Sequence, residues 1–276
     1  MRKLLPFSML LFSCAAVAGN IDAVPACYSE KMPAQKTATD TEIFVVIDQT
    51  TLFNSGLKQS IADNVRSFLI PGNAFSVMQF SAFTQGHYTD VLVSGKLDPI
   101  LVKAARDDVS KPVLNKFDQC MTAQPRLAGQ LVGGAMKTAF GDSSSDIAKS
   151  DIFASLKDIS GKVRQSAAQH KVVLLASDML ENSSVTSFYA KQSVRQIDSE
   201  KELKLVADNQ LFGDFGGARV YVIGAGLLAE DAKQRKGIYR PIQTMQALSR
   251  FWTGYFQKSN AELAEFGQPA LLNPIH

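Results

Sequence analysis

The chain has 276 residues with 29 basic and 26 acidic side chains, and 46% of its residues are hydrophobic. That length and apolar content suit one large α/β domain with a well-buried core. The small net charge, +3, gives no basic excess that would call for nucleic acid or an acidic membrane surface.

The first residues, MRKLLPFSMLLFSCAAVAGN, combine Arg2 and Lys3 with an apolar run from Leu4 to Phe12 and the small-x-small triplet Ala16-Val17-Ala18. This reads as a secretory signal cleaved near Ala18. It is too short for a membrane span, which needs about 20 apolar residues. The alternative is a lipoprotein with Cys14 lipidated, although Phe12 is bulky for that motif. No other segment is long and apolar enough to span a bilayer. Removal of residues 1–18 takes Arg2 and Lys3 away and leaves a nearly neutral chain that keeps Cys27 and Cys120. In an oxidising compartment the simplest state of these two thiols is a disulfide; the alternative is two unrelated buried thiols.

Residues 19–41 contain Pro25 and Pro33 and read as an extended arm. "EIFVVID", ending on Asp48, is an uninterrupted apolar run of strand length, as in a parallel strand buried on both faces. Leu57, Ile61, Val65, Phe68 and Leu69 then repeat at helical spacing until "IPGN" breaks the pattern. "AFSVMQFSAF" and "HYTDVLVSGKL" predict two strands of an antiparallel hairpin joined at "TQGH". The stretch from Asp98 to Phe140 is helical in character, and "GDSSSDIAKSD" is a polar loop. Ile152, Phe153, Leu156, Ile159 and Val163 mark a further amphipathic helix. "KVVLLASD" is a second apolar strand ending on an aspartate, Asp178, and "ARVYVIGAGL" is a third. Everything beyond it is expected to be helical, with a broad stripe through Met245, Leu248, Phe251, Trp252, Tyr255 and Phe256.

The order of elements predicts a single three-layer α/β domain over residues 42–276. Its sheet is mainly parallel with one antiparallel edge strand, and helices cover both faces. In such sheets, sites form outside the carboxyl ends of the strands. Three pieces therefore point to one rim: Asp48-Gln49-Thr50-Thr51, Ser150-Asp151 and Ser177-Asp178. Carboxylates and hydroxyls from separate loops are the ligands that hard divalent cations take. The bland alternative is that each aspartate only organises its own turn or caps the next helix, with Thr50 or Asn54 as the first N-cap.

On these residues the chain resembles the von Willebrand factor A domain family. That family carries a metal-ion-dependent adhesion site: an Asp-x-Ser/Thr-x-Ser motif after the first strand, a Thr before a middle helix and an Asp after the fourth strand. Asp48 and Thr50 match the first motif, Ser150 replaces the Thr with its hydroxyl kept, and Asp178 matches the last aspartate. Leu52 departs from the motif, since leucine cannot ligate a metal; Thr51 substitutes only if the turn is remodelled. Met179 stands where the family usually has Gly. The resemblance covers residues 42–226, and the family's last strand is not visible beyond them. It implies a magnesium or manganese ion and a protein partner in the cell envelope, captured through loops following residues 48, 83, 149 and 178.

A second reading is a magnesium-dependent phosphatase, because "VVIDQTT" loosely resembles the first motif of haloacid-dehalogenase-like enzymes. There Asp48 would be the nucleophile, but Thr50 occupies the place of the expected second acid. His87 and His170 lack metal-ligand spacing and read as solvated loop residues.

Overall fold

The structure, a computed structural model, describes residues 20–33, 38–84, 87–141, 143, 150–190, 193–228 and 240–276. The expected signal segment and Cys14 lie outside the described residues.

A six-stranded sheet forms the middle layer, in the order β3-β2-β1-β4-β7-β8. Its strands are β1 (Thr41–Asp48), β2 (Ala74–Thr84), β3 (His87–Lys96), β4 (His170–Ala176), β7 (Ala218–Ile223) and β8 (Ala261–Phe266). Neighbours pair in parallel except β2 and β3, which form the expected antiparallel edge hairpin. Two-residue strands β5 (Tyr189–Ala190) and β6 (Ser193–Val194) make a separate small hairpin.

The apolar run of β1 is buried from Ile43 to Ile47, and its alternate side chains feed two cores. Ile43, Val45 and Ile47 meet α1 (Ser55–Arg66) and the second half of α3 (Lys111–Gly141). Phe44 and Val46 meet α4 (Ile152–Gln165), α5 (Ser199–Asp208) and α6 (Ile242–Lys258). Helices thus cover both faces. Asn54 is the N-cap of α1, its side chain accepting from Leu57 N at 2.9 Å. A short helix, α2 (Lys103–Arg106), precedes α3.

The first half of α3 belongs to a satellite cluster of Met32, Leu101, Val109 and Phe117 under the N-terminal arm. The disulfide Cys27–Cys120 fastens the arm to this helix, and residues 20–23 hydrogen-bond along β3.

Two expectations need correction. The segment after β7 is not wholly helical, because β8 follows α6 and pairs with β7. Its sequence, AELAEF, is made of good helix formers and is only half-buried at the sheet edge, so pairing with β7 overrides local preference. The histidines His87 and His170 are not loop residues; they open β3 and β4.

Candidate functional site

The chain leaves β1 toward β2 on one side, while β4 lies on the other, so strand order reverses between β1 and β4. A crevice opens at such a point beyond the carboxyl ends of the strands. Register places Ile47 opposite Ala176, which brings Asp48 beside Ser177. Both sequence-predicted aspartates therefore reach the same lip.

Asp48 is fully buried. Its Oδ1 accepts from the Thr50 backbone N–H at 2.9 Å and the Thr50 hydroxyl at 2.6 Å. Its Oδ2 accepts from the Ser177 hydroxyl at 2.7 Å. Thr51 turns inward: its hydroxyl oxygen accepts from Asp178 N at 3.1 Å, tying the first loop to the end of β4. Asp178 is 5% exposed. Its Oδ1 accepts from Leu180 N at 2.8 Å and its Oδ2 from the Tyr189 hydroxyl at 2.9 Å. Tyr189 comes from the β5–β6 hairpin, which Arg195 fastens to the buried Glu202 of α5 through a 2.6 Å ion pair.

Ser150 sits next to this lip on a different connection. Its backbone exchanges hydrogen bonds with Asn182, at 3.2 and 2.9 Å, just beyond Asp178 in sequence. Asp151 is the N-cap of α4, and Glu181 accepts from Phe153 N in the same helix turn. The hydroxyl oxygen of Ser150 is buried and has no hydrogen-bond partner among the described residues.

Burial raises the Asp48 carboxyl above the ordinary carboxylate range, against the pull of hydrogen bonds from Thr50, Ser177 and Thr51. Burial also raises Asp178, and the neighbouring Asp48 charge raises it further; Leu180 N, Tyr189 and the Arg240 guanidinium act the other way. Glu181 is pushed up to about 8, mainly by burial. The lip therefore concentrates acid groups whose ionised forms lack full compensation.

The donor set fits a hard divalent cation in kind. Asp48 and Asp178 offer carboxylates, Thr50 and Ser177 offer hydroxyl lone pairs, and the orphaned Ser150 hydroxyl is a buried polar atom in search of a partner. Among the described residues no group of three or more His, Cys, Asp or Glu side chains could hold a metal ion. An ion here would rest on two carboxylates, hydroxyls and water. Leu52 adds no donor, and Thr51 is committed to joining the two loops.

Met179, in the place of the resembled family's glycine, has φ +59°, the left-handed conformation that glycine adopts freely. Its side chain is fully buried, and Trp252 Nε1 donates to its carbonyl at 2.9 Å. Tyr189, Arg240 and Glu181 were not legible as site residues, since all three lie in irregular or weakly patterned segments. No helix among the described residues is long and apolar enough to cross a membrane. No protein-family model matches this chain, and no curated protein matches it.

Proposed function

We propose that this chain is a secreted or periplasmic protein-binding module of von Willebrand A-like type, recognising an envelope partner through the lip around Asp48 and Asp178. The observation that supports this best is the convergence of two buried carboxylates from separate parallel strands, with the Thr50 and Ser177 hydroxyls on Asp48 and an unsatisfied Ser150 hydroxyl on the neighbouring connection. When bound, a magnesium or manganese ion would supply the positive charge that receives an acidic group of the partner. Asp48 and Asp178 would hold that ion, with Thr50 and Ser150 as hydroxyl donors. Thr51 and Ser177 position the carboxylates by joining the two loops. The disulfide between Cys27 and Cys120 suits an oxidising compartment.

The burial of Asp48, with both oxygens already accepting hydrogen bonds, favours binding over a phosphatase, whose nucleophilic carboxylate must reach a phosphorus atom. The test is manganese binding by the purified protein, followed by calorimetry, together with photo-cross-linking from Gln49 in intact cells. Wild type should bind one ion and yield a discrete cross-linked partner. Asp48→Ala should lose both while keeping its circular dichroism spectrum. Equal recovery of the partner by wild type and variant counts against the proposal.

A further inference from the structure

At the opposite end of the sheet, the first residues of β1, β4 and β7 border a cavity of about 320 Å³. Buried Phe68 and Val172 give it an apolar lining. His170, Lys171, Arg219 and His276 supply its cationic and imidazole groups, and no aspartate or glutamate among the described residues lines it.

The two permanent cations differ in how far they are already engaged. Among the described residues, Lys171 has no carboxylate within ion-pair distance. The Lys171 ammonium makes one long contact, 3.5 Å to the Arg164 carbonyl. Arg219 donates from Nη1 to the main-chain oxygen of His276 at 2.9 Å and lies over the Tyr221 ring at 5.5 Å. The acid that Lys171 influences, Asp214, is already engaged by Arg164, Gly216 N and Asn260.

Gly216 leaves room for the ammonium. Its φ is +60°, and a Cβ there would fall 2.9 Å from Lys171 Nζ, so any side chain would push the ammonium aside. The volume also discriminates. Small-molecule sites begin at about 300 Å³, more than a lone inorganic ion fills. An ammonium outside any ion pair, set beside a guanidinium in a partly apolar recess, selects oxyanions.

We propose that this cavity binds a small oxyanion-bearing molecule, a phosphate monoester or a carboxylate. Its charged end meets Lys171 and Arg219, and its apolar end rests on Phe68 and Val172. The site is separate from the aspartate lip and does not depend on how that lip functions.

Calorimetric titration of the full chain with phenyl phosphate, benzoate and inorganic phosphate tests it. Phenyl phosphate or benzoate should bind saturably and inorganic phosphate more weakly, for want of the apolar contact. Lys171→Gln and Arg219→Gln should each weaken binding about tenfold or more, the loss of one charge-assisted hydrogen bond. Asp48→Asn should leave it unchanged. Because Lys171 has no ion-pair partner, its replacement orphans no carboxylate, and it is the deciding variant if Arg219→Gln unfolds. Preference for phenyl phosphate identifies a phosphate ester as the ligand type, and preference for benzoate a carboxylate. Absence of saturable binding by either, or binding indifferent to Lys171→Gln, overturns the proposal.

Discussion

Replacing Asp178 by asparagine should stabilise the protein where a cation is withheld and the pH is high. The folded-state carboxyl is raised, by burial and then by the charge of Asp48, to about 8. A group raised in this way contributes stability that is complete below the unfolded value near 4 and is lost as pH climbs toward 8. Each unit of elevation corresponds to about 1.4 kcal/mol. Buried carboxyls move by up to about 3–5 units, which sets a ceiling of about 4–7 kcal/mol. Asparagine keeps an acceptor for Leu180 N and can reverse the hydrogen bond with Tyr189, at a cost of about 1 kcal/mol for imperfect geometry. Asp178→Asn should therefore exceed wild type by about 2–4 kcal/mol near pH 9 in chelator, and by little near pH 5. Magnesium at a hundredfold excess over its Kd should narrow that gap by about 2.7 kcal/mol, because wild type keeps the donor that the variant has lost. Urea unfolding followed through Trp252, the chain's single tryptophan, reads all four conditions. Parallel pH profiles for the two proteins, or a less stable variant near pH 9 in chelator, would refute the electrostatic reasoning.

Cys27→Ser should cost about 4–5 kcal/mol, the chain-entropy value for a cross-link across 93 residues, and Cys120→Ser should cost the same. A shift in guanidinium stability below about 1 kcal/mol for either would show that the arm is held by its other contacts. Met179→Gly relieves about 1 kcal/mol of left-handed strain but empties a fully buried site. It should lose about 2–4 kcal/mol net, and a variant as stable as wild type in urea would mean that this core collapses to fill the space.

The central part of the fold was open to reading because β1, β4 and β7 are buried on both faces and leave uninterrupted apolar runs. Once those runs were placed in one parallel sheet, the two terminal aspartates had to emerge at a common lip, and the hydroxyls beside them came along. What escaped was whatever depends on long-range pairing. Ala261–Phe266 has helix-forming composition and becomes a strand only because Ala218–Val222 offers it a free edge. Tyr189 reaches Asp178 from a two-residue strand that no periodicity marks. The inward turn of Thr51 was equally hidden, since Thr50 and Thr51 are adjacent hydroxyls and only the tertiary partner, Asp178 N, distinguishes their roles.

The N-terminal arm carries a consequence for self-association. Residues 20–23 lie alongside β3 like a partial seventh strand, bonded to Leu92 and Ser94, and the cystine fixes the peptide a few residues further on. The middle of that sheet border is thus occupied by the molecule's own backbone. Copies of the chain that swapped strands there would first have to peel away a covalently tethered segment, so a reducing environment, more than crowding, is what would open this route to polymers.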